Sequence, residues 1–141
     1  MLKLQGAITA MVTPFRDGKV DESRLREQIE HQIRGGVDGI FVLGTNGEGP
    51  CLRDADRRGV CEVAVETAAG RVPVIAGVLQ PSTARIVEDM ALLRDTGVSA
   101  YVATTPYYFG GYNEDELVTH YRRLADASDL PILIYNIPQN T

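Results

Sequence analysis

No stretch of this sequence is apolar for long enough to cross a bilayer; its apolar runs fall far short of the roughly 20 residues required. No basic segment leading into an apolar one opens the chain at Met1, so no signal peptide is read and the cytoplasm is the expected location. A basic surplus is also missing. The formal charge is −5 with Lys and Arg scattered, which argues against a nucleic-acid or anionic membrane partner. Cysteine is scarce. Cys51 and Cys61 fall in what reads as one helix, where a rise of about 1.5 Å per residue sets them roughly 15 Å apart, too far for a disulfide. They read as reduced small hydrophobes. No Cys or His stands at ligand spacing from another, so no metal site is expected. His31 and His120 fall on helical segments and read as solvated.

What is present is ordinary in bulk: 141 residues, 44% apolar and 23% charged, the size and composition of one globular domain spanning residues 1–141. The order is more telling. Five short, β-branched apolar runs (7–12, 39–43, 72–77, 100–103 and 131–135) are near-continuous, as in parallel strands covered on both faces. Four helical stripes separate them: Leu25-Ile29-Ile33 behind a candidate N-cap Asp21; Val60-Val63-Ala64-Thr67; Ile86-Met90-Leu93; and Leu117-Val118-Tyr121-Leu124-Ala125. Asn113 and Glu116 open the last stripe as a capping box. Gly36-Val37-Asp38-Gly39-Ile40 and Gly97-Val98-Ser99-Ala100-Tyr101 read as one helix-to-strand turn used twice. An α/β series of this kind either opens into a doubly wound sheet or closes into a barrel. The chain length suits a five-stranded open sheet, since a (β/α)8 barrel needs about 250 residues.

Both architectures collect function at the C-terminal ends of the strands. Those ends carry Thr13-Pro14-Phe15, Gly44-Thr45-Asn46-Gly47-Glu48-Gly49, Thr104-Thr105-Pro106-Tyr107-Tyr108 and Tyr135-Asn136-Ile137-Pro138, so hydroxyls gather at one rim. The glycine-rich loop can turn successive amides toward an anion, or serve simply as a tight turn. It lacks a P-loop lysine and dinucleotide spacing.

These motifs, together with Pro-Val-Ile-Ala-Gly in the third strand, resemble the dihydrodipicolinate synthase/N-acetylneuraminate lyase family in order and spacing, from Gly6 to Thr141. The resemblance implies a (β/α)8 TIM barrel, of which this chain covers strands one to five. It also implies a class I aldolase or lyase that condenses pyruvate with an aldehyde or releases it from a 2-oxo acid. In that family a sixth-strand lysine forms a Schiff base with pyruvate, and no other cofactor is needed. Tyr135 matches the proton-shuttling tyrosine and Thr45 the relaying hydroxyl. Tyr108 matches the tyrosine that reaches across a tight dimer interface, with Tyr107 beside it as interface packing. Thr45, Asn46 and Gly47 fall where the pyruvate carboxylate is held, and Glu48 is expected to bond loop amides. A homodimer or homotetramer is implied.

The chain departs from the pattern in two ways. Its lysines are Lys3, near the start of strand one, and Lys19, in the polar turn before helix one. Neither stands where the Schiff-base lysine belongs, so strand six and its lysine are expected to follow soon after Thr141. The lysine-biosynthetic synthases also carry an arginine after Tyr-Asn-x-Pro, for the second substrate's carboxylate, where this chain has Asn140 following Gln139. They usually show threonine where it has Asn46. Both changes favour a sister activity, such as a 2-oxo-3-deoxy sugar acid or hydroxy-oxoglutarate aldolase. The alternatives from other classes are a non-catalytic half-barrel that binds a carboxylate or assembles with itself, and a flavodoxin-like module. Thr13–Gly18 is a poor phosphate loop for the latter.

Overall fold

The computed structural model describes residues 4–138. Five parallel strands form one sheet: β1 (Ile8–Ala10), β2 (Gly39–Val42), β3 (Val74–Gly77), β4 (Ala100–Thr104) and β5 (Ile132–Tyr135). They pair in sequence order, each with the strand that precedes and follows it. That order decides between the two architectures. A doubly wound sheet reverses direction at a switch point, whereas here every crossover steps the same way and the sheet curls into half of a barrel. The curl shows in the side chains. Phe41 on β2 and Tyr135 on β5 are three strands apart, about 14 Å in a flat sheet. Their rings nevertheless meet edge to face, with centroids 5.8 Å apart and planes at 83°.

The helices are α1 (Glu22–Arg34), α2 (Asp54–Ala68), α3 (Thr83–Leu93) and α4 (Glu114–Asp126). They lie on the outer face, where Ile40, Val42, Val74, Ala76, Tyr101 and Ala103 pack against the buried stripes Leu25-Ile29, Val60-Ala64, Ile86-Met90-Leu93 and Leu124. The inner face is a smaller cluster of Phe41, Ile75, Ala100 and Val102, with Leu133 and Tyr135 against it. Period-two alternation thus sends each strand's odd and even residues to different layers. No helix among the described residues is long and apolar enough to cross a membrane.

The local signals explain the ends of the elements. Asp21 caps α1 by accepting from the Arg24 amide at 3.1 Å. Asn113 and Glu116 exchange both bonds of the capping box at 3.0 and 2.9 Å. Gly36 and Gly97 take φ of 84° and 85°, and the residue two positions on reaches back to the preceding strand in each case: Asp38 N to Ala7 O and Ser99 N to Val74 O, both 2.8 Å. The helix-to-strand turn is therefore the same structure twice.

Four expectations need correction. Cys51 ends a 3-10 turn (Gly49–Cys51) while Cys61 lies within α2, so they do not share a helix; both are free. Segment 15–20 is not a plain turn. Phe15–Arg16 and Lys19–Val20 form a small antiparallel hairpin through Asp17-Gly18, whose φ of 52° and 73° suit the Asp-Gly pair. Val118 and Ala125 lie on the exposed side of the fourth stripe. His120 is not solvated but only 4% exposed. Its Nδ1 lies 2.8 Å from the Thr83 hydroxyl and its Nε2 3.1 Å from the Thr104 carbonyl, which fits a neutral ring donating from Nε2 and accepting at Nδ1. One side chain thereby ties α4 to the start of α3 and the end of β4.

Burial lowers the His120 pKa below 6.5, against the opposing pull of the Thr104 carbonyl. The unfolded chain takes up the proton first, so this contribution to stability is complete above 6.5 and is lost as pH falls through the lower folded value. The urea midpoint should decline between pH 8 and 5.5, and His120→Gln should flatten that decline; an equal slope in both proteins refutes the assignment.

Candidate active site

The rim loop begins with an unusual residue. Leu43, 1% exposed, follows β2 with φ of 60°, a conformation costing a non-glycine residue about 1–2 kcal/mol. The turn aims its carbonyl at Gly49 and Gly77, whose missing side chains leave the space: a Cβ on either one would collide with that carbonyl. Gly77→Ala should therefore cost about 1–3 kcal/mol as an overpacked site, read as a lower urea midpoint; an unchanged midpoint would show that the loop is not wedged there.

Within the loop, the amides of Gly47 and Gly49 donate to Gly44 O at 3.1 and 3.3 Å, and that of Glu48 to Thr45 O at 3.1 Å. The buried Thr13 hydroxyl clamps the loop to the end of β1 through Gly47 O at 2.7 Å. Among the described residues, the amides of Thr45 and Asn46 have no backbone acceptor. Gly47 serves through its carbonyl and its close approach to Met11 O and Thr13, not through its amide. Glu48 caps no amide with its side chain; its left-handed backbone, φ 53°, shapes the turn instead.

Thr45 opens onto a cavity of about 290 Å³ together with Glu48, Pro50, Cys51, Leu79, Thr104, Tyr107 and Ile137. Tyr135 is the ladder partner of Thr104, which lines this cavity, in the final register of β4 and β5, and its half-buried ring packs on the inner face against Phe41. The two adjacent rim tyrosines point in different directions. Tyr107 turns inward and donates to Leu79 O at 3.2 Å; burial, then the charges of Cys51 and Asp89, push its pKa up. Tyr108, with φ of 87°, projects outward at 87% exposure, edge-on to the equally exposed Phe109 at 5.0 Å. Asn46 faces a separate groove between β1 and α1. Asn140 and Lys3 lie outside the described residues. Lys19, in the hairpin, lines a pocket with Arg53 and Asp56 rather than the rim cavity.

Sequence reasoning missed one charged cluster. Arg57 on α2 and Asp89 on α3 are both 3% exposed and pair at 2.7 Å. Arg57 also meets Asp54 at 2.8 Å, and Gln80 donates to the other Asp89 oxygen at 2.8 Å. The signal was available: Arg57 stands three before Val60 and Asp89 three after Ile86, which puts opposite charges on two buried stripes. Burial pushes the Asp89 carboxyl above its usual 3.8, with Gln80 and Arg57 pulling it back.

The model of the dihydrodipicolinate synthetase family matches residues 3–141. A 4-hydroxy-tetrahydrodipicolinate synthase of Phenylobacterium zucineum is 43% identical over 97% of this chain and 46% of its own length. The chain thus spans about half the length of the curated relatives it matches. Among solved structures, dihydrodipicolinate synthase from Aquifex aeolicus aligns with a TM-score of 0.92 at 39% identity, over 98% of this chain and 47% of that one. The chloride-inhibited Acinetobacter baumannii enzyme, complexed with pyruvate, aligns at 0.93 and 35% identity, over 99% and 48%.

Proposed function

We propose a function from the premise that this chain belongs to the dihydrodipicolinate synthetase family: it carries the carboxylate-binding and proton-transfer side of a pyruvate-dependent Schiff-base aldolase or lyase. The observation that carries the reading is the rim itself. Thr45, Thr104 and Tyr107 line one cavity, with Tyr135 paired to Thr104 at the end of β5 and the amides of Thr45 and Asn46 free of a backbone acceptor among the described residues. The amides hold the pyruvate carboxylate as a small anion nest. Tyr135 exchanges a proton with the reacting carbon or oxygen, and the Thr45 hydroxyl relays it toward the cavity. The electron sink is an imine on a lysine from a sixth strand beside β5, formed as its amine adds to the keto carbon and water leaves. Tyr108 and Phe109 point outward, away from their own site, and support pairing with a second copy whose cavity Tyr108 completes. The pyruvate complex of the Acinetobacter relative supports the substrate class.

A specific observation bears on the second substrate. Glu48 is the charged lining residue of the cavity, with no Arg or Lys among the described residues there. A neutral, hydroxyl-bearing aldehyde suits this lining better than one carrying a carboxylate, in line with Asn140 standing where synthases place arginine. The decisive experiment is the mass of the intact protein after borohydride treatment with and without pyruvate. A gain of one reduced pyruvate, mapped to a lysine, is expected. Failure to gain it would leave the carboxylate-binding half-barrel as the better account.

A further inference from the structure

We infer that Arg57, Asp89 and Gln80 form a positioning network that holds two lining segments of the rim cavity at a fixed separation. Its members adjoin both segments. Leu52, whose carbonyl lies 3.5 Å from Arg57 Nη1, directly follows the Gly49–Cys51 turn and donates to Gly49 O at 3.2 Å; Pro50 and Cys51 of that turn line the cavity. Gln80 directly follows Leu79, which lines the same cavity and whose carbonyl accepts the Tyr107 phenol. Between them run Arg57 Nη2 to Asp89 Oδ1 at 2.7 Å and Gln80 Nε2 to Asp89 Oδ2 at 2.8 Å, with Asp54 holding the same guanidinium nitrogen.

Stability alone does not account for such a pair. A buried ion pair is commonly matched or bettered by apolar residues of the same volume. What the pair has that apolar residues lack is direction: short charge-assisted bonds fix the angle as well as the distance between their partners. Here the partners are two helices and the main chain beside two lining segments of one cavity. The catalytic consequence rests on the reading of that cavity given above; the geometric claim does not.

Cys51 is a built-in reporter. It lies on the cavity wall and is exposed, whereas Cys61 is fully buried with its thiol pushed up to about 12 by desolvation. The test compares the full protein with the double variant Arg57→Met/Asp89→Leu and with Gln80→Leu, which leaves the ion pair in place. Iodoacetamide alkylation is followed at the Cys51 peptide, and pyruvate half-saturation is read from borohydride trapping. The double variant should keep the wild-type urea midpoint while alkylating Cys51 severalfold faster. Its half-saturation should rise about tenfold, inside the roughly hundredfold that a 1 Å misplacement can cost. Gln80→Leu should raise half-saturation while lowering the midpoint modestly, since it leaves one buried Asp89 oxygen without its donor. Wild-type alkylation and half-saturation in the folded double variant overturn the inference. If that variant does not fold, Gln80→Leu decides in the same way through both readouts. If the wild-type protein traps no pyruvate, the proposed function fails, and the Cys51 rates still decide the network.

Discussion

Tyr135→Phe should lower proton exchange at the methyl carbon of pyruvate by about a hundredfold or more, within the range for a removed general acid–base group. Hydrogen–deuterium exchange into pyruvate, followed by NMR, needs no second substrate and so isolates this step. The substitution keeps the ring that meets Phe41 edge to face, and the inner-face cluster around Phe41, Ile75 and Val102 is left intact. Stability should therefore change by no more than about 1 kcal/mol, the usual weight of one hydroxyl's bonds. Reductive trapping of pyruvate should still go to completion, because the imine forms on the lysine and not on the phenol. Exchange at the wild-type rate would remove Tyr135 from the proton path and leave it as a packing residue.

The largest loss of stability should come from Arg57→Ala, at about 3–5 kcal/mol, the cost of stranding one partner of a buried ion pair. The truncated side chain leaves Asp89 with Gln80 as its remaining close bond. Without the guanidinium to pull it down, the Asp89 carboxyl moves further above its ordinary value, for burial already raises it. A group raised in the folded state penalises folding above its folded pKa, and the penalty is relieved as pH falls toward the unfolded value. The deficit against wild type should thus be greatest near pH 7 and smaller near pH 5, measured by urea unfolding at both. A deficit that does not change with pH would assign the loss to the lost packing of the arginine stem.

Much of the fold was legible because its signals are local. The five apolar runs overlap the five strands, and the repeated Gly36 and Gly97 turns needed only a left-handed glycine before a strand. The capping box at Asn113 needed two residues three apart. The choice between an open sheet and a barrel is not local: it depends on which strand pairs with which, and periodicity does not record that. The resemblance supplied it, and the pairing order agrees. The hairpin at Asp17-Gly18 was overlooked because two-residue strands carry no alternation to detect. His120 was misjudged for a related reason. A histidine at a helical position reads as solvated unless its partners are known, and Thr83 and Thr104 come from two other elements. At the rim, the motifs do not record the direction of each side chain: of two adjacent tyrosines, Tyr107 enters the cavity and Tyr108 leaves it.

The sequential strand order also bears on how the chain comes off the ribosome. Among the described residues, every ladder of the five-stranded sheet joins strands whose starts are 26–35 residues apart. Contacts of short sequence separation form quickly, and synthesis at about 5–20 residues per second allows seconds between one strand and the next. Each emerging βα unit can therefore dock on a sheet edge already in place. The rim loops among these strands thus come together in the order in which they are translated.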